Sequence, residues 1–371
     1  MKKTLANMAW LIVFVMLCGC TAVQRTIGTQ PTVENIFVPP TSTGAPISPD
    51  ATESNPPNAN TPTKGGSMSW NFVGEEKDEN GYDYLIYSGG QMHLPIHVIG
   101  SGIVAEHGIG ILLFVGGKPQ AYRTSENEEY QYVHSFTTDT YPALENGKLV
   151  IDTELIFTPV AGEAGTYVPC YMISIGDPDY SYENSSGSPG FKLTSSEMHI
   201  ATKLKMHSDP PKAEVLPVED RLTGFVSSTV ETTKQEIYGW SDDDMMKYTR
   251  HKMYVNDRDL NFTNAVWDVT ADKENTIRFE IYGSPYIHYA LVIFMDNQPI
   301  SLAEEDIIKV SIENGRKTIV TANLDMSDFD GESHVYCVLV PLNKDEYIGQ
   351  GIRAGLIVSR YCFLLGDPYP Y

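Results

Sequence analysis

The chain of 371 residues carries 26 Lys and Arg against 48 Asp and Glu, a formal net charge of −22 at pH 7. A surface this acidic repels phosphate backbones and anionic head groups, which excludes nucleic-acid binding and leaves any membrane attachment to something other than charge. Its five cysteines form no CxxC pair and show no zinc-like spacing, so neither a metal knuckle nor a disulfide-dense scaffold is expected.

In chain order the first element is a secretory leader. Lys2 and Lys3 form a basic start, Ala9 to Leu17 an apolar run too short to span a bilayer, and Leu17-Cys18-Gly19-Cys20 closes it. That ending resembles the lipobox of bacterial lipoproteins: an aliphatic residue, two small ones, then cysteine. The resemblance covers about twenty residues. It implies a signal peptide over 1–19, cleavage between Gly19 and Cys20, and diacylglyceryl and acyl chains such as palmitate on Cys20. It places the mature chain on the extracytoplasmic face of the cell membrane. Two or more chains bind a bilayer almost irreversibly, whereas one binds only marginally.

Residues 20–67 are poor in apolar side chains and dense in Pro, Thr, Ser and Asn, with Pro31, Pro39, Pro40, Pro46, Pro49, Pro56, Pro57 and Pro62. Such a composition forbids helix interiors and central strands and buries too little surface to offset ordering entropy. It reads as a disordered tether, roughly 150 Å long if drawn out as polyproline.

From Met68 onward the sequence reads as all-β: short β-branched and aromatic runs separated by turn residues, with no long helical period. A repeat runs through it. Ile111-Leu112-Leu113-Phe114-Val115-Gly116-Gly117-Lys118-Pro119 matches Leu291-Val292-Ile293-Phe294-Met295-Asp296-Asn297-Gln298-Pro299. Glu145-Asn146-Gly147-Lys148 matches Glu313-Asn314-Gly315-Arg316, and Cys170 lines up with Cys337. The first copy has extra residues between Pro119 and Asn146, including Glu126-Asn127-Glu128-Glu129. The pattern predicts two tandem immunoglobulin-like β-sandwiches, residues 68–217 and 218–371, each folding alone. Asn314-Gly315 predicts a type I′ hairpin. Ser301-Leu302-Ala303-Glu304 predicts a capping box. Buried free thiols are expected at Cys170, Cys337 and Cys362, with a Cys337–Cys362 bridge as the alternative.

A search for chemistry returns no nucleophile elbow, zinc-protease motif, P-loop or dinucleotide motif. His93 and His97 flank Pro95 in a strand-like stretch, about 13 Å apart along one face, too far for chelation. Asp325-Met326-Ser327-Asp328-Phe329-Asp330-Gly331-Glu332 lacks the ligand spacing of an EF-hand, and Asp242-Asp243-Asp244 follows Trp240 without any such pattern. Trp70, Trp240, Trp267 and Tyr180-Ser181-Tyr182 are the aromatic candidates for a sugar platform, and Trp240 is the best single one. No cofactor, metal or catalytic residue is expected. The reading is a non-enzymatic, lipid-anchored cell-surface protein that displays two modules to a cell-wall glycan or an extracellular protein. A passive envelope-assembly lipoprotein and a secreted hydrolase with an unrecognised site are the alternatives. A Cys20→Ala variant is expected to lose membrane association, and a variant that still sediments with membranes rejects lipid anchoring.

Overall fold

The computed structural model describes residues 67–366, apart from 80, 102–107, 142–147, 177, 180–198, 214–215, 261–264, 267–268, 303–306, 348–349, 354 and 360–361. The leader and tether, with Gly19 and Cys20, lie outside the described residues, as do Tyr180-Ser181-Tyr182 and Trp267. No described helix is long and apolar enough to cross a membrane.

The described chain is almost entirely β. Its first half contains β1 (Ser67–Phe72), β2 (Glu76–Lys77), β3 (Asp83–Tyr87), β4 (Met92–Ser101), β5 (Ile109–Val115), β6 (Lys118–Pro119), β7 (Arg123–Thr124), β8 (Val133–Phe136), β9 (Lys148–Phe157), β10 (Tyr167–Gly176) and β11 (His199–Met206). The second half contains β12 (Glu219–Glu231), the short helix α1 (Asp242–Lys247), β13 (Thr249–Val255), β14 (Arg258–Asp259), β15 (Ala265–Val266), β16 (Asn275–Gly283), β17 (Tyr289–Met295), β18 (Gln298–Leu302), β19 (Ile308–Val310), β20 (Arg316–Leu324), β21 (Glu332–Pro341), β22 (Ile357–Val358) and β23 (Cys362–Leu365).

Strand pairing in the second half repeats that of the first. β16 lies between β13 and β20 as β4 lies between β1 and β9. β17 pairs with β18, β19 and β21 as β5 pairs with β6, β8 and β10. β23 runs antiparallel to β21 and parallel to β15, as β11 runs antiparallel to β10 and parallel to β3. The registers agree as well: Phe114 faces Pro119 as Phe294 faces Pro299. Both hairpins turn on two residues of positive φ, Gly116 (61°) and Gly117 (83°) in one, Asp296 (50°) and Asn297 (63°) in the other. That is the pair of left-handed residues a two-residue I′ turn needs.

Three expectations of detail change. Cys170 faces Val115, whereas Cys337 faces Ile293, the counterpart of Leu113. The two cysteines therefore occupy equivalent strands but sit two residues out of register, and Val335 is the true counterpart of Cys170. Asn314-Gly315 makes no hairpin. Only Gly315 has positive φ, and the flanking strands diverge, β19 to β17 and β20 to β16 and β12. The turn carries the chain from one layer to another, so its Asn-Gly reports a tight bend and not a ladder. Ser301 and Leu302 belong to β18, and the capping box forms instead at Ser241 and Asp244, ahead of α1.

Apolar residues separate into three cores by strand parity. Leu94, Ile96 and Val98 of β4 face Ile111, Leu113 and Val115 of β5 across the first. Ile277, Phe279 and Ile281 of β16 face Leu291, Ile293 and Met295 of β17 across the second, where β12 bridges the layers by pairing with both β18 and β20. The remaining positions of β5, β10, β17 and β21 build the third: Leu112, Phe114, Tyr171, Ile173 and Ile175 pack on Val292, Phe294, Tyr336, Val338 and Val340. β5 and β17 are therefore buried at every residue. Cys170, Cys337 and Cys362 are buried free thiols, and burial pushes each up to about 12.

The third core is self-complementary. Under the two registers Leu112 corresponds to Val292, Phe114 to Phe294, Tyr171 to Tyr336, Ile173 to Val338 and Ile175 to Val340. Phe114 meets its own counterpart edge to face, with ring centroids 6.1 Å apart at 85°. Each hairpin tip also reaches the other half: Asn297 donates to the Pro178 carbonyl at 2.8 Å, and a Cβ on Gly117 would lie 2.3 Å from Leu342. This is the arrangement of an isologous dimer, built here within one chain. Phe294→Ala should lower unfolding free energy by about 3–5 kcal/mol in urea titration. A fragment beginning at Val218 would leave Phe294, Tyr336 and Val338 uncovered, and sedimentation should find it self-associated and not monomeric.

Candidate functional site

The departure from the repeat lies where the first copy is longer. Twenty-seven positions separate Pro119 from Asn146, but only 15 separate Pro299 from Asn314. β8 itself answers to β19, so the added residues lie on either side of it, six in the connection from Pro119 to β8 that carries β7 and six between β8 and Asn146. Tyr122 anchors them: it is fully buried, exchanges backbone hydrogen bonds with Gln131 at 3.0 Å, and donates from its hydroxyl to the Ile111 carbonyl at 2.7 Å. His134 is buried beside it, with Nε2 2.7 Å from the Tyr122 carbonyl, so that nitrogen carries the proton. Burial lowers the His134 pKa, outweighing the hydrogen bond to Tyr122, and keeps the ring neutral.

A turn then presents the polar side chains. Asn127 N–H donates to Thr124 Oγ1 at 3.0 Å, and Asn127 Oδ1 accepts from Glu129 N–H at 2.9 Å. Between them Glu126 turns its carboxylate onto Thr153 Oγ1, the Tyr141 hydroxyl (2.8 Å) and Ser125 Oγ (2.9 Å). Burial raises the Glu126 pKa, but these hydroxyl donors outweigh it and hold the carboxyl below its ordinary value. The result is a half-open cavity of about 330 Å³, walled by Glu126, Asn127, Gln131, His134, Phe136 and Tyr141. Phe136 and Tyr141 stand 5.7 Å apart and close one side. A cavity of this size with convergent polar groups and one aromatic wall suits a small hydroxylated ligand. Glu126 was visible in the sequence only as part of an insertion. The signal that could have found it is that insertion's absence from the second copy.

The residues expected from the sequence lie elsewhere. Trp240 belongs to a strap, Thr232 to Tyr248, laid over the outer face of β13, β16 and β20. The Arg250 guanidinium stacks 4.3 Å over its ring, and Tyr248 and Tyr282 flank it. The strap is also pinned by Lys317, which donates to Glu236 at 2.5 Å and to Glu280 at 2.8 Å with all three side chains largely buried. Asp242, Asp243 and Asp244 fill the first turn of α1, where the helix dipole favours them. His93 pairs with Glu154 at 2.9 Å and His97 with Asp152 at 2.5 Å, so each histidine is matched to its own carboxylate. Asp328 is held by both terminal nitrogens of Arg221, at 2.5 and 2.6 Å. Among the described residues no three His, Cys, Asp or Glu side chains gather in a way that could hold a metal. Trp70 lies in β1.

No family model matches the sequence, and no curated protein matches it. Among solved structures, a chimeric titin Z1Z2 tandem aligns over 81% of this chain and all of its own, at 11% identity and a TM-score of 0.17. Latent PorU from Porphyromonas gingivalis aligns over 80% of this chain and 20% of its own, at 7% identity and 0.18. The CupB6 tip adhesin from Pseudomonas aeruginosa aligns over 82% and 98%, at 9% identity and 0.15. At TM-scores this low none of them bears on the architecture or the activity of this chain.

The Lys317 cluster carries a pH dependence of defined sign. Burial raises the Glu236 pKa, yet hydrogen bonds from Lys317 and Thr233 bring it below the ordinary glutamate value. Its contribution is therefore complete above the unfolded-state pKa and fades as pH falls through the folded one. Lys317→Met should cost on the order of 3 kcal/mol at pH 7, because buried Glu236 loses its cation and Glu280 is left with Arg278, 3.9 Å away. The difference from wild type should shrink in urea titrations run progressively below pH 4.5, the ordinary glutamate value.

Proposed function

We propose that the chain is a lipid-anchored surface protein of a bacterial envelope whose head holds a small hydroxyl-rich ligand, such as a cell-wall sugar, in the Glu126 cavity without transforming it. The carrying observation is that the longer connections on either side of β8, which the second copy lacks, bring Glu126, Asn127 and Tyr141 to a polar cavity. The lipobox-like Leu17-Cys18-Gly19-Cys20 supports the anchor, and the Pro-rich residues 20–67 support display at a distance. The fold reading that accompanies it is a pair of immunoglobulin-like β-sandwiches, residues 68–217 and 218–371, joined face to face. Glu126 suits recognition better than acid–base work: three hydroxyls already hold its charge, so it neither donates a proton readily nor stands ready as a base.

The test is retention of the mature chain on the wall fraction of its own cells. Saturable retention, weakened roughly fivefold or more in Glu126→Gln as expected for lost hydrogen bonds to a charged acceptor, supports the reading. Retention that never saturates, or that ignores Glu126→Gln, rejects it.

A further inference from the structure

β12 is the longest of the described strands at 13 residues, and only Leu222 in it is buried. It pairs with β18 only as far as Leu222, while its other edge follows β20 to Glu231. Beyond Leu222, no described strand pairs with its outer edge. A bulge at Gly224, φ 61°, separates the bridging part from a regular run, Val226 to Glu231. That run is Val-Ser-Ser-Thr-Val-Glu, in a protein of net charge −22.

Natural sheets guard a free edge with lysine, proline, an inward charge or a covering loop. From Val226 to Val230 there is no charge and no proline. Val226 is 60% and Val230 36% exposed, beside Phe225 at 39%. One backbone group, the Thr229 carbonyl, accepts from Arg316. About half of the remaining N–H and C=O groups of such a strand point away from its one neighbour and need partners.

We propose that this edge pairs antiparallel with the same edge of a second copy, joining two heads through one continuous sheet. Self-pairing fits the sequence of the run. Backbone groups of Thr232, and so of the even-numbered residues, face β20, which leaves those of Ser227 and Thr229 pointing outward. Centred on Ser228, the pairing sets Val226 against Val230 of the second copy, Ser227 against Thr229, and Ser228 against Ser228. No like charges meet, and Val226 and Val230 oppose each other across the joint on one face. The five residues from Val226 to Val230 supply about 17 Å of ladder and about four inter-copy hydrogen bonds. A second copy carries the same net charge of −22. The uncharged run is the place where two copies approach at least cost, and the resulting interface is isologous. The remaining cost is long-range repulsion between two bodies of like charge, which salt screens. Pairing therefore strengthens as ionic strength rises, opposite to an interface made by ion pairs.

Sedimentation velocity on the mature chain carrying Cys20→Ala, so that no lipid contributes, tests this directly. The expected result is a concentration-dependent monomer–dimer equilibrium with a larger dimer fraction at high salt. Ser227→Glu with Ser228→Glu puts four carboxylates into the joint; it should remove the dimer and leave the melting transition in place. Ser228→Cys should form an intermolecular disulfide on mild oxidation, since this position faces its own copy across the joint in a non-hydrogen-bonded pair. A chain that stays monomeric at millimolar concentration overturns the proposal. So does a dimer that survives the paired glutamates, or one that salt dissociates.

Discussion

Everything in this head is arranged around an apolar layer that neither half can leave exposed. Leu112, Phe114, Tyr171, Ile173 and Ile175 lie on the reverse of strands whose other side already fills a core. Burying both sides of β5 and β17 removes alternation from their sequences and makes both runs continuously apolar. The answering residues Val292, Phe294, Tyr336, Val338 and Val340 repeat the same pattern, so the layer is closed by near-identical surfaces turned on one another. Apolar contact of this extent is the dominant favourable term in assembling the two halves. The polar links at its edges, Asn297 to Pro178 and Tyr171 to Pro341, fix orientation more than strength.

Once the two halves are locked back to back, the parts of each that look outward are free to differ. The first half uses its outward freedom on the insertion and the Glu126 cavity. The second uses it on a strap pinned by Lys317 and Trp240, and on the long edge of β12. These are different solutions to one condition, since a polar outer face can be left wet, roofed or shaped. Trp240 illustrates the division. Its ring works as an anchor between Arg250, Tyr248 and Tyr282 because the strap it belongs to has only six helical residues and needs an apolar grip.

Much of this was legible in the amino-acid sequence because strand periodicity and turn chemistry are local. The repeated nine residues from Ile111 and Leu291 pointed to equivalent strands, and the unbroken apolar run from Leu291 to Met295 required cover on both sides. What provides that cover was not legible, since an apolar run states that it is buried and not what against. Asn314-Gly315 misled for a related reason: a two-residue turn sets the local bend, while tertiary packing decides whether the strands after it pair or part. The cysteine alignment slipped by two residues because pleated strands tolerate a shift of one full period without turning any side chain to the wrong face. Glu126 was recognised only as surplus length. Its setting is made by Thr153 and Tyr141, which meet it across 27 and 15 positions of chain.

The three thiols offer a last consequence. None is bridged, all are buried, and each is held in its uncharged, unreactive form at neutral pH. Cys170 sits in one core, while Cys337 and Cys362 sit in the other. Changes in ambient oxidant therefore pass this head by, and no reductant is needed to keep it intact. The same arrangement makes alkylation a stopwatch for breathing: a reagent reaches Cys170 or Cys337 only when its own core parts, so their relative capture rates time the opening of each half inside the intact chain.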